Sequence, residues 1–334
     1  MKKFIYKILL QIIGILLFPR EVVNYFTIGK QLTNNTHSRM SPALLLAFQY
    51  EKNEFGRKDV IIRYLALKDK FIDKDSKGLP LYAKLMSERY KEKPFHNKIE
   101  ESLDGVYRNM KANGYNNDFP IPVNSKFKLL DGSHRLAAAI INGIQEVPIT
   151  VLPTWHKVPF TTQLLKRYKF EEEELAEIQK TEEELFLNLG IYFPVIIWPT
   201  AQHLKNEIEN DFGFETKFKF ELDLNAEEFT TFVREIYKID DIADWKVDKK
   251  LKAMTSEQNK ISVIFIDFLL PDYRKKSSNQ ILISKTGEKL KEHIRTKYKS
   301  KIENYIYDII IHTGDNYLHS EKIIGITRSF MNGK

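Results

Sequence analysis

The sequence predicts a mixed α/β protein of two domains. The chain has 334 residues, more than a single hydrophobic core usually serves. With 43% of its residues hydrophobic it has material for two cores. Residues 120–152 spell a strand, a glycine turn, a helix and a second strand, and a further strand–helix series begins near residue 192. The expected organisation is an apolar helix within 1–30, an α+β domain over 31–155, a charged helical linker over 156–190 and a second α/β domain over 191–334.

The chain opens on Met1-Lys2-Lys3, and Phe4 to Phe18 is apolar apart from Lys7 and Gln11. As a helix this run is about 22 Å long, short of a bilayer core of about 30 Å. Lys3, Lys7, Gln11 and Gly14 form one narrow stripe, a pattern that suits a helix lying in a membrane surface. A signal peptide and a docked core helix are the alternatives, and Leu16-Leu17-Phe18-Pro19-Arg20 lacks a small-x-small cleavage site. The expected location is the cytoplasm, at the inner face of the membrane.

Ser41-Pro42 opens a helix expected to run to Tyr50, because Ser caps and Pro tolerates the first helical position. Val60 to Leu67 is rich in β-branched residues and is predicted as a strand. Pro80 to Arg89 is predicted as a helix. Ile99, Leu103, Val106 and Met110 repeat at helical spacing, and Gly114 follows as a C-cap. Pro120 to Val123 and Val147 to Leu152 are predicted strands.

Between those strands runs Leu129-Leu130-Asp131-Gly132-Ser133-His134-Arg135-Leu136-Ala137-Ala138-Ala139. A strand end, a tight turn and a helix N-terminus make an anion site, since the first N–H groups lack partners and the helix dipole favours negative charge. Gly132 allows close backbone approach. Ser133 offers a cap or a hydroxyl ligand, and Arg135 a planar fork for phosphate oxygens. The blander alternative is a helix cap with a buried histidine. Phosphoryl transfer also needs a base near an acceptor hydroxyl. Asp131 is best placed for that, or else braces the turn. Glu51, Glu54, Asp59 and Glu88 are further candidate carboxylates, and Arg63 and Arg89 candidate phosphate clamps.

The run Asp131-Gly132-Ser133-His134-Arg135-Leu136-Ala137-Ala138, followed by Gly143-Ile144-Gln145-Glu146-Val147-Pro148, resembles the hallmark of the ParB/sulfiredoxin superfamily. The resemblance implies such a domain over roughly 58–153, binding ATP or CTP through the turn. The chain has no Cys, which removes the sulfinic-acid reductase chemistry of one branch. It lacks the helix-turn-helix pattern and the second Asn motif of the partition branch. The free-serine-kinase branch, with Asp-Gly-x-His-Arg, is the nearest match. The resemblance thereby implies ATP and Mg as cofactors, Asp131 and His134 as catalytic residues, and Gly132, Ser133, His134 and Arg135 as nucleotide ligands.

Glu171 to Glu174 and Glu182 to Glu184 read as a solvated helix face. Tyr192 to Trp198, Ile261 to Phe268 and Tyr307 to His312 are predicted strands, with a basic helix from Glu288 to Ile302. Phe229, Val233, Ile236 and Tyr237 share a helix face. His312-Thr313-Gly314-Asp315-Asn316 falls where a strand should end and a helix begin, the edge at which open α/β sheets bind ligands. His312, Asp315 and Asn316 are candidate substrate-binding residues, and His312, Asp315 and His319 have the chemistry for a metal or for proton transfer. Their spacing is no named metal motif, and no metal is assigned. The alternative is a turn that Asp315 caps.

A net charge of +7 suits an anionic partner. Arg274, Lys275, Lys276, Lys291, His293, Arg295, Lys297, Lys299 and Lys301 concentrate it, without the interleaved aromatics of a single-strand platform. The expected function is an ATP-dependent phosphotransferase acting on a hydroxyl acceptor, an envelope glycan or lipid-linked sugar. The alternatives are a nucleotide-dependent DNA-binding partition-like protein and a ParB-like nuclease.

Overall fold

The computed structural model describes residues 39–51, 54–74, 77–89, 96–152, 159–254, 259–268, 272–275, 282–306 and 308–332. The expected membrane-surface helix at 1–18 lies outside these. Among the described residues no helix is long and apolar enough to cross a membrane. The fold is mixed α/β, as predicted, with twelve helices and several sheets among the described residues. The chain divides into two compact units, 1–184 and 185–334.

Unit 1 opens with β1 (Arg39–Met40) and α1 (Pro42–Ala47). The Ser41 side chain accepts from Leu44 N and Pro42 takes the first helical position, but α1 stops at Ala47, short of the expected Tyr50. There Tyr50 instead begins β2 (Tyr50–Glu51), which pairs antiparallel with β3 (Glu54–Phe55).

The largest departure comes next. Val60 to Leu67 forms no strand; it lies in α2 (Lys58–Lys68). Val60, Ile61, Ile62, Leu65, Ala66 and Leu67 are all buried. A helix that is apolar nearly all round is a core helix, and over so short a run its pattern matches that of a buried strand. A π-helical turn, Asp69–Asp73, leads from α2 towards α3 (Gly78–Arg89), and α4 (His96–Asn113) follows. Gly114 ends α4 at φ +72°.

β4 (Ile121–Val123) and β5 (Val147–Val151) are parallel neighbours. Between them runs α5 (Ser133–Ile141), and β1 adds antiparallel to β5. α5 packs on α2, so the central helix and the helix after the turn share one interface. The charged stretch supplies α6 (Thr162–Arg167) and α7 (Glu172–Asn188). Far from being a pure linker, it packs: Lys84 pairs with Glu174 at 2.5 Å and the buried Lys58 with Glu182 at 2.8 Å.

Unit 2 is built on β6 (Phe193–Ile197), β7 (Glu215–Leu224), β8 (Asn259–Asp267) and β11 (Ile311–Thr313). Their order is β11-β6-β8-β7 and every pairing is antiparallel. β6 and β8 are buried almost throughout, as their apolar runs predict. β7, at the edge, carries a bulge between Thr216 and Phe218, after which Lys219, Glu221 and Asp223 face solvent. β9 (Tyr273–Lys275) and β10 (Leu282–Ser284) form a separate pair.

A 3-10 turn (Pro199–Leu204) and α8 (Lys205–Asn210) follow β6. α9 (Ala226–Ile239) begins with a capping box of Asn225 and Glu228 and buries Phe229, Phe232, Val233, Ile236 and Tyr237. α10 (Asp244–Met254) and α11 (Lys285–Tyr298) precede β11, and α12 (Tyr317–Asn332) closes the chain against α9 and β6.

Candidate functional site

In unit 1 the turn Asp131–Gly132 leads directly into α5. Gly132 is the N-cap at φ +92° and provides no side-chain cap, so nothing from it covers the first N–H groups of α5. A Cβ here would meet the Arg135 guanidinium at 3.2 Å and Ile121 at 3.3 Å, on a backbone that L residues rarely adopt.

The four polar side chains of the motif separate. Ser133 is buried; its Oγ donates to Asp59 Oδ2 at 2.8 Å and accepts from Arg57 Nη2. That occupies the hydroxyl expected as a nucleotide ligand, because a core network already claims it. Arg135 Nη1 donates to the carbonyls of Phe119 and Pro120, at 2.6 and 3.0 Å. Only Nη2 turns to Asp131, 3.9 Å away. Asp131 itself is exposed at the mouth of the turn, its side chain 78% accessible. His134 Nε2 lies 2.8 Å from the Tyr82 hydroxyl. Burial pushes the His134 pKa down to about 3; Arg63 adds to the shift and Asp59 opposes it. This imidazole is therefore neutral at pH 7.

Beneath the turn sits Asp59, fully buried. Arg57 Nε donates to Oδ1 at 2.7 Å, and Arg63 Nη1 lies 3.2 Å from Oδ2. Burial alone would raise the Asp59 pKa. The charges of Arg57 and Arg63, with bonds from Arg57 and Ser133, outweigh it and hold the carboxyl well below the usual range. All of its accepting capacity is directed to the scaffold, so it is no free base. Arg57 and Arg63 are both buried, leaving two guanidinium groups against one carboxylate, and Arg63 Nε has no hydrogen-bond partner. Arg89 lies over the Phe160 ring at 5.2 Å, as Arg57 does at 5.8 Å. Glu54 accepts from Thr162 N at 3.1 Å, a structural role. Arg57 and Tyr82 escaped the sequence reading.

In unit 2, His312 lies inside β11, paired in register with Ile196, and it is buried. Its ring meets Tyr237 edge-on at 5.2 Å. Burial pushes its pKa down to about 4, against the pull of Asp240. Because the sheet is antiparallel, the ligand edge of an open parallel sheet does not apply here. Asn316, rather than Asp315, caps α12: its Oδ1 accepts from Leu318 N and His319 N, and its Nδ2 donates to Leu282 O at 2.8 Å. Asn316 is thereby spent on local structure. Asp315 takes Lys291 Nζ at 2.9 Å.

The sequence reading missed Asp240, at the end of α9. His319 Nδ1 lies 3.2 Å from Asp240 Oδ1, and His312 Nε2 lies 3.6 Å from Oδ2. No spacing rule joins a residue after α9 to a turn after β11. Beside this cluster α11 borders a groove of about 670 Å³, lined by Arg274, Lys291, Arg295 and Lys299 with Glu288 and Asp308 among them. Its cations are largely matched: Arg274 by Glu288 at 2.5 Å and Arg295 by Asp308 at 3.2 Å. Lys297 and Lys301 are likewise paired, with Asp211 and Glu207.

Compared with known proteins, the chain matches no family model, no curated protein and no solved structure.

Proposed function

We propose that unit 1 binds a nucleoside triphosphate, ATP with Mg, and that the chain is a phosphotransferase acting on a hydroxyl acceptor. One observation carries this reading: an uncapped helix N-terminus sits over two buried guanidinium groups that share a single carboxylate. Helix dipole and surplus cation act in the same direction, and both favour a phosphate. The residues fit the group in charge. The exposed Asp131 is the carboxylate of the turn left to hold Mg or to accept a proton, since Asp59 is fully bonded. In the proposed reaction the acceptor oxygen forms a bond to the γ-phosphorus, the bond to the ADP oxygen breaks, and the hydroxyl proton passes to Asp131. His134, neutral and tied to Tyr82, positions and does not carry charge.

An envelope glycan or lipid-linked sugar as acceptor, and peripheral contact with the membrane through residues 1–18, belong to the same proposal. They rest on the apolar N-terminal sequence. Nucleic acid is the less favoured partner, because Arg274, Arg295, Lys297 and Lys301 of the basic region are each paired with a carboxylate.

Thermal shift with ATP, ADP, CTP and GTP in the presence of Mg tests the reading, since a ligand that binds the native state raises its melting temperature. ATP should give a saturable rise. Asp131→Asn should lower ADP release in turnover while the ATP dissociation constant stays within a fewfold of wild type. No shift with any of the four nucleotides would remove the proposal, and binding of DNA with a steep salt slope would replace it.

A further inference from the structure

The carboxylate–histidine cluster of unit 2 lies outside the phosphotransferase reading and has a chemistry of its own. Ligand atoms of Asp240, Asp315 and His319 all lie within 4.8 Å of one another. An ion with bonds of about 2.0–2.2 Å holds its ligand atoms at most about 4.4 Å apart, so small side-chain adjustments close the set. Two features show that the cluster is not satisfied by protein alone. His312 is 5% exposed, its Nε2 has no hydrogen-bond partner, and that nitrogen points at Asp240 Oδ2 from 3.6 Å. Asp240 Oδ1 is buried with no hydrogen bond in good geometry. His319 Nδ1 is shared between Asp240 Oδ1 and the Asp315 backbone N–H, at 3.2 and 3.4 Å. It accepts from the N–H when unprotonated there, and then has no proton to give the carboxylate. Buried polar atoms left in this condition are costly and ask for a ligand.

We propose that Asp240, Asp315 and His319 bind a divalent transition-metal ion, with His312 orienting Asp240 from behind. Two carboxylate oxygens and an imidazole nitrogen suit Zn²⁺ or Mn²⁺ better than Ca²⁺ or Mg²⁺, whose shells are built from oxygen. A histidine bonded to the far oxygen of a ligating carboxylate is a recurrent second layer in metal sites. Lys291 is the competitor. Its ammonium holds Asp315 Oδ1 at 2.9 Å, and Lys250 and Arg295 add positive charge nearby. The ion takes the remaining oxygen of Asp315 or displaces Lys291 towards the groove that this lysine also lines.

The test uses the full chain stripped with chelator and titrated calorimetrically with ZnCl₂ and with MnCl₂, without nucleotide, so its outcome is independent of events in unit 1. One ion per chain is expected, confirmed by elemental analysis after gel filtration. Asp240→Asn and His319→Gln should abolish this uptake, and His312→Gln should weaken it about ten- to hundredfold. Lys291→Met should tighten it about tenfold, because a like charge leaves the site. That gain cannot come from misfolding. The proposal falls if the wild-type chain retains no ion, if folded Asp240→Asn and His319→Gln proteins retain it equally, or if Lys291→Met binds no better than wild type.

Discussion

In unit 1, two buried guanidinium groups share one carboxylate; in unit 2, two carboxylates and two imidazoles share one ammonium group, and a buried nitrogen points at an oxygen it does not reach. The first cluster is well bonded and in surplus of positive charge. The second holds one carboxylate more than its single ammonium group and is short of hydrogen bonds. The difference separates two tasks that buried polar groups perform. Asp59 has every oxygen engaged, so it holds α2 to α5 and leaves the chemistry to the exposed turn above. Asp240 has an oxygen to spare, so it is available to a ligand.

Replacement of the two aspartates is the strongest way to break this comparison. Asp59→Asn leaves Arg57 and Arg63 buried without a counter-charge and should destabilise unit 1 by about 3–5 kcal/mol. Asp240→Asn, in chelator, should cost under about 1 kcal/mol, because few good bonds are lost. Urea denaturation followed by near-UV circular dichroism measures both. Equal losses would mean that the two clusters are equally satisfied.

A pH series sharpens the comparison from the side of His134. In the folded chain its pKa is pushed down to about 3, while in the unfolded chain it titrates near 6.5. Between those values the unfolded state binds more protons, so this contribution is full above pH 6.5 and is lost as the pH falls towards 3. Stability between about pH 4 and pH 7 should therefore rise less steeply in His134→Gln than in wild type, by on the order of a few kcal/mol. Parallel curves would show that burial beside Arg63 does not keep the imidazole neutral.

A further, modest effect concerns the turn. Gly132→Ala places a Cβ on a backbone at φ +92° and should cost about 1–2 kcal/mol in stability. If the turn also holds phosphate, the ATP affinity falls with it; a stability loss at constant affinity would assign Gly132 to architecture alone.

The sequence disclosed the turn into α5 because its signals are local: a glycine, a polar pair and an apolar helix face within one stretch. β6, β8 and α9 were equally legible, each carrying its period in consecutive residues. What stayed hidden was α2. A run of Val60, Ile61 and Ile62 has the β-branched content of a strand, and full burial erases the polar stripe that marks a helix. One misassigned element then concealed the site. Read as a strand, Asp59 and Arg63 are unrelated; on a helix they are one turn apart and form a pair. Asp240 was hidden for another reason: only the packing of α9 beside β11 and α12 brings it to His312 and His319.

The bulged edge strand β7 has a consequence for life in a crowded solution. Among the described strands it pairs on one side only, with β8, so its other side offers unpaired backbone groups to any extended peptide. A long, flat, greasy border of that kind recruits copies of itself and grows into fibres. Here the irregularity between Thr216 and Phe218 breaks the flatness, and Lys219, Glu221 and Asp223 place a charge at every second position beyond it. The border is thereby made a poor template for a further strand.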